Sequence, residues 1–205
     1  MGEGSFFAKL GSLGERIQAT RAEIGAMALA ARTPGEARRL ELIASRLGFD
    51  QWPQKRLVVT AVDAQTGAFV TWDKDSGVRL AAAIASSSAV PGMYPPVTIN
   101  GRRYIDGGIY SATCAEIARG YETVLIVAPL GASRDGLGGF ARRTLDAEAE
   151  ALRKDGSTVN VIQPDAEALE AFGPNLMGPS RRQQAAEAGV RQGEALAERL
   201  RGVWS

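Results

Sequence analysis

The segment from Ala85 to Gly108 restricts what this 205-residue chain can fold into more than any other stretch. It opens Ala85-Ser86-Ser87-Ser88-Ala89-Val90-Pro91-Gly92, continues Tyr94-Pro95-Pro96-Val97 and closes on Tyr104-Ile105-Asp106-Gly107-Gly108. Within it, Asn100-Gly101 separates Val97-Thr98-Ile99 from Arg103-Tyr104-Ile105. That dipeptide is the strongest short hairpin signal, because a type I′ turn needs positive φ at both central residues. Asp106 therefore leaves a hairpin on a glycine-flexed turn, a place where an α/β enzyme can hold a catalytic carboxylate.

The elements around it follow from periodicity. Ile17, Ile24, Met27, Ala28 and Ala31 fall on one helical stripe. Thr33-Pro34-Gly35-Glu36 reads as the start of a second helix, with Thr33 and Glu36 as a capping box and Pro34 at the first helical position. Leu40, Ile43 and Leu47 form its apolar face and Gly48 ends it. Leu57–Val62 is β-branched and apolar on both faces, as expected of a buried parallel strand. The turn Asp63–Gly67 leads to a second strand, Ala68–Trp72, and Val78–Ser86 reads as a small-residue helix that stops before Pro91.

After Asp106 come a short helix near Thr113–Arg119, a strand at Thr123–Ala128 and a glycine-rich loop from Leu130 to Gly139. A helix to Lys154, a strand at Thr158–Ile162 and a helix from about Arg181 to Leu200, with Ser180 and Gln183 as its capping box, complete the chain. Buried strands alternating with helices imply an α/β layered fold with a mainly parallel sheet in a single domain, residues 1–205. Its parts are a helical segment (1–50), a core (56–130) and a C-terminal strand with helices (131–205). Three fully buried strands are few for such a sheet. It is expected to be incomplete, leaving Leu57–Val62 or Val124–Ala128 with an open edge or an uncovered apolar face.

Composition excludes several chemistries. There is no histidine, so no Ser-His-Asp or Cys-His arrangement can form within the chain, and acid–base work falls to carboxylates or lysine. Cys114 is the only cysteine, which suits a reducing compartment. A net charge of +1 gives no reason to expect nucleic acid. Met1–Phe7 lacks the character of a signal peptide, no run of about 18 apolar residues occurs, and Phe6 breaks a myristoylation motif at Gly2. The expectation is a soluble, cytoplasmic protein.

From Arg56 through Leu130 the chain resembles the bacterial patatin-like phospholipase family. The likeness is carried by the strands from Leu57 to Trp72, the Ala85–Gly92 segment, the stretch Pro95–Gly108 and the strand Val124–Pro129. The resemblance implies a three-layer α/β/α fold and a serine hydrolase that cleaves acyl esters of lipids with a Ser-Asp dyad. It implies no cofactor and no metal, a lipid or acyl-ester substrate, and room for peripheral contact with a membrane. The family's dyad acid is the Asp of its Asp-Gly-Gly motif, here Asp106 with Gly107 and Gly108 in support.

The family's nucleophile sits in a Gly-x-Ser-x-Gly elbow, preceded by a glycine-rich oxyanion loop. No Gly-x-Ser-x-Gly occurs in the 205 residues; Gly131-Ala132-Ser133-Arg134-Asp135-Gly136 misses it by one residue and follows Asp106 in the wrong order. The sequence is thus expected to be the C-terminal portion of the domain, inactive alone, with the serine outside it. The alternative is a non-catalytic remnant or binding module on the same scaffold.

In a dyad the carboxylate accepts the serine proton during attack and returns it to the leaving alcohol. A free aspartate near pKa ~3.9 is a weak base, so the site must desolvate it. Gly107 and Gly108 let the backbone bend around the carboxylate and admit the nucleophile's turn. Asp-Gly after a hairpin also serves simply to shape a turn, and the residues alone leave both roles open; the resemblance favours the dyad acid.

Ser86, Ser87 and Ser88 read as local hydrogen bonding beside the site, not as nucleophiles. Arg102-Arg103, Arg142-Arg143 and Arg181-Arg182 read as solvated faces, Trp52, Trp72 and Trp204 as packing residues, and Cys114 as a packed thiol.

Overall fold

The structure, a computed structural model, describes residues 21–130, 136–173 and 179–203. The chain divides into two compact units, residues 1–114 and 115–205. The first contains helices α1 (Arg21–Ala30), α2 (Glu36–Leu47) and α3 (Leu80–Ser87) with strands β1 (Val59–Asp63), β2 (Phe69–Trp72), β3 (Val97–Ile99) and β4 (Arg102–Asp106). Ile17 lies outside the described residues.

The four strands form one sheet in the order β2-β1-β4-β3 with every neighbouring pair antiparallel. The α/β class stands, but β1 is not the parallel strand its apolar run suggested. Two-sided burial produces that run, and here two helical layers supply it. Ala61 faces a cluster built from α3 alanines, Ile43 of α2 and Tyr104 of β4, while Val62 packs with Ala28 of α1, Ala64 and Ile105. The α/β/α layering is therefore present within this unit on an antiparallel sheet. Nor does β1 have an open edge, because β2 and β4 pair with it on either side.

The hairpin forms as expected: Asn100 and Gly101 take φ of 50° and 77° between β3 and β4. The capping box at Thr33 does not. α2 begins at Glu36 behind Gly35 with no side-chain cap, since the Glu36 carboxylate instead accepts from the Thr98 amide and hydroxyl on β3. Gly48 ends the helix in the left-handed region at φ 69°, donating to the Ala44 carbonyl.

In the second unit, β5 (Thr123–Val127) and β6 (Thr158–Ile162) pair in parallel across α4 (Gly136–Lys154), followed by α5 (Ala166–Phe172) and α6 (Arg182–Arg201). Val124 and Ile126 pack on Leu145, Ala149 and Leu152 of α4. Among the described residues these two strands make up the whole of their sheet. The box expected at Ser180 and Gln183 is absent: a 3-10 turn, Pro179–Arg181, precedes α6, and Gln183 donates to Glu187. No helix among the described residues is long and apolar enough to cross a membrane.

One helix-to-sheet contact is set by a missing side chain. A Cβ at Gly25 of α1 would stand 1.8 Å from the Ala64 carbonyl oxygen. On an open helix Gly→Ala stabilises by about 1 kcal/mol, but overpacking against backbone reverses the sign. Gly25→Ala is expected to destabilise the protein by about 2–3 kcal/mol in urea unfolding; a neutral or stabilising result would contradict this packing.

Candidate functional site

Asp106 closes β4, opposite Ala61 of the central strand. Its amide donates to the Ala89 carbonyl at 3.2 Å, which ties the strand exit to the segment after α3. The chain then enters a 3-10 turn, Gly107–Ile109, capped by Asp106 itself: Oδ1 accepts from the Gly108 amide at 2.7 Å. Gly107 allows this course because it is pressed onto β1. A Cβ there would lie 2.3 Å from Thr60 Oγ1 and 2.7 Å from the Thr60 carbonyl oxygen, so no other residue fits.

The turn is also fastened from behind. The Gly107 carbonyl accepts from the amides of Tyr110 and Ser111 at 2.9 and 3.4 Å, and the Cys114 thiol donates to the Ser111 carbonyl at 3.2 Å. Cys114 is buried and holds a left-handed φ of 47°, so its role is that of the packed thiol expected. Ser111 Oγ accepts from the amides of Thr113 and Cys114, an arrangement that closes a loop.

The electrostatics separate two acids on neighbouring strands. Burial pushes the Asp106 carboxyl up to about 6, and the opposing pull of the Gly108 amide is the weaker effect. Among the described residues no salt bridge reaches it, and Gly108 is its hydrogen-bond donor. Asp63, at the end of β1, is 2% exposed, so burial pushes it up as well. Arg102 at 2.6 Å and the amides of Gln65 and Thr66 at 2.9 Å outweigh that, and its carboxyl is held below the usual range. Asp63 is a locked structural anion, whereas Asp106 is a desolvated base that can take and return a proton near neutral pH.

The serines beside it are engaged in structure. Ser86 is fully buried, donates to the Ala83 carbonyl at 2.7 Å and accepts from Trp72 Nε1 at 3.2 Å. Ser88 Oγ donates to the Ile84 carbonyl at 2.8 Å and accepts from Arg39 at 3.1 Å. Ser133 and half of the glycine-rich stretch, residues 131–135, lie outside the described residues, as does Trp204. Arg102 pairs with Asp63, Arg103 donates to the Pro96 carbonyl and Arg142 pairs with Asp146. Trp52 donates to the Val78 carbonyl and Trp72 packs edge-on to Tyr104. No group of acids or cysteine among the described residues is arranged to hold a metal ion.

Arg39 belongs to no motif in the sequence, yet it is buried beside the segment that leads to Asp106. The signal was its spacing: it precedes Ile43 by four residues and Leu47 by eight, so a cation sits on the apolar stripe of α2.

Residues 7–119 match the family model for patatin-like phospholipases. The match takes in α1 and α2, ahead of the stretch that carries the resemblance in sequence, and ends before β5. No curated protein matches the chain.

Because folding raises the Asp106 carboxyl above its unfolded value, the folded state holds the extra proton, and the carboxyl's effect on stability turns unfavourable as pH rises. Asp106→Asn keeps an acceptor for Gly108 without the charge. Its stability should equal the parent's near pH 4, exceed it increasingly up to about pH 6, and settle on the order of 2 kcal/mol higher by pH 7. Urea unfolding across that range checks this; a gap that stays flat with pH would show that the carboxyl is not desolvated.

Proposed function

The chain belongs to the patatin-like phospholipase family, a family of lipid acyl hydrolases, and from that premise we propose that Asp106 is the proton-transferring acid of a Ser-Asp dyad. The observation that carries the reading is a desolvated carboxylate without a cation, fixed on one oxygen by the Gly108 amide. The second oxygen is left to face a hydroxyl.

In the reaction the serine Oγ attacks the ester carbonyl carbon while its proton passes to the Asp106 carboxylate. The tetrahedral intermediate collapses, the alcohol leaves with that proton, and the acyl group remains on serine. Water then attacks the acyl-serine, giving a proton to Asp106 that returns to the serine oxygen as the fatty acid departs. Gly107 and Gly108 support this by clearing space around the carboxyl. A histidine-free chain can run such a cycle because the carboxylate is both base and acid.

The nucleophile, by this reading, comes from outside the 205 residues, since no serine within them has the elbow's sequence. The chain alone is therefore inactive and the substrate is a lipid ester met by the completed site. The purified chain should not react with a fluorophosphonate probe. Adding in trans the elbow-bearing half of a patatin-like phospholipase should produce labelling of the added serine, and Asp106→Asn should lower it by about 10²–10⁴-fold. Labelling of the chain by itself would place a nucleophile inside it, and labelling indifferent to Asp106→Asn would remove the dyad role.

A further inference from the structure

We propose that Arg39 is a positioning residue for Asp106, acting through Ser88 and Ala89; the inference rests on the reading of Asp106 as the proton acceptor. Arg39 lies in the second turn of α2 and is 8% exposed. None of the carboxylates among the described residues pairs with it: the ion pairs of this unit go to Lys74, Arg79, Arg102 and Arg103. A buried cation without an acid is costly, so its other contacts must hold it.

Those contacts bracket the turn between α3 and β3. At one end, Arg39 Nη2 donates to Ser88 Oγ at 3.1 Å and reaches the Ser88 carbonyl at 3.5 Å. The hydroxyl is oriented for this, because its own proton goes to the Ile84 carbonyl at 2.8 Å. At the other end, the guanidinium carbon stands 3.8 Å over the Tyr94 ring. Between them the amides of Met93 and Tyr94 fold back onto the Val90 carbonyl at 3.1 and 3.0 Å. The residue after Ser88 is Ala89, whose carbonyl receives the Asp106 amide at 3.2 Å.

Arg39 thus sets the position of the acceptor from which the end of β4 hangs. One turn earlier on α2, Glu36 accepts from Thr98 of β3, the strand that follows this turn, with the hydroxyl at 2.9 Å. Arginine is specified by this double duty. Lysine would supply a donor to Ser88 but no planar face for Tyr94, and methionine would cover the ring but donate nothing.

The test is amide hydrogen exchange, followed by NMR on the full chain. In Arg39→Met, the amides of Asp106 and Gly108 should exchange at least tenfold faster relative to those of the β1–β2 ladder. Arg39→Lys should restore part of that protection. Ser88→Ala, which deletes the hydroxyl acceptor together with its bond to the Ile84 carbonyl but leaves Arg39 on Tyr94, should reproduce a smaller share of the loss and decides the matter if Arg39→Met does not fold.

A second readout is the pH-dependent stability gap between the parent and Asp106→Asn. Placed in the Arg39→Met background, that gap should shrink as water reaches the loosened carboxyl. Exchange that rises uniformly over the sheet, or stays unchanged at Asp106, would overturn the inference. Loss of the gap in the parent itself would defeat the reading of Asp106, while the exchange comparison would still decide the role of Arg39.

Discussion

The close approach of Gly107 to Thr60 is the constraint on which the rest of the site depends. With no side chain at 107, the exit of β4 lies flat on the central strand, and a Cβ would overlap both the hydroxyl and the carbonyl of Thr60. That approach holds Asp106 opposite Ala61 and turns the chain at once into a 3-10 segment whose Gly108 amide the aspartate caps. The carboxyl is thereby withdrawn from water with one amide for company. Desolvation without a compensating cation is what raises its affinity for a proton. Asp63, one strand away, shows the contrast: it too is buried, but with Arg102 and two amides arrayed against it, it is an anion that stays charged.

What could be read in the sequence was what is locally determined. Asn100-Gly101 fixed the hairpin because positive φ at two successive residues leaves few choices, and Asp106 followed from the hairpin. The direction of strand pairing was not legible. An apolar run such as Leu57–Val62 reports that both faces are covered, and it reads the same whether α1 and α3 cover an antiparallel or a parallel strand. Neither expected capping box forms, one for a tertiary and one for a local reason: Glu36 is drawn to Thr98, and Ser180 is taken up in a 3-10 turn. α5 went unread because its start rests on one residue, Asp165, whose carboxylate accepts from the Ala168 amide and pairs with Arg191. Arg39 was visible as a cation on an apolar stripe, but its partners Ser88 and Tyr94 come from a segment that only the fold brings to it.

Taken together, the elements of the first unit fix the position of Asp106. α1 and α3 seal the sheet that presents it, the Ser88–Tyr94 turn carries the carbonyl that anchors it, and α2 holds that turn through Arg39 and the adjoining β3 through Glu36, one helical turn apart. Membership of the patatin-like family gives this arrangement its chemical sense. In a chain without histidine a carboxylate is one of the few groups that can serve as a base, and it does so better when its environment withholds water and counter-ions.

The most direct measurement is the titration of the Asp106 side-chain carboxyl by carbon-13 NMR in the folded chain, assigned by its disappearance in Asp106→Asn. The account predicts a midpoint of about 6, with Asp63 titrating below the ordinary carboxylate range. A midpoint for Asp106 at the ordinary aspartate value near ~3.9 would contradict it, because the carboxyl would then be a solvated turn residue and not a desolvated base.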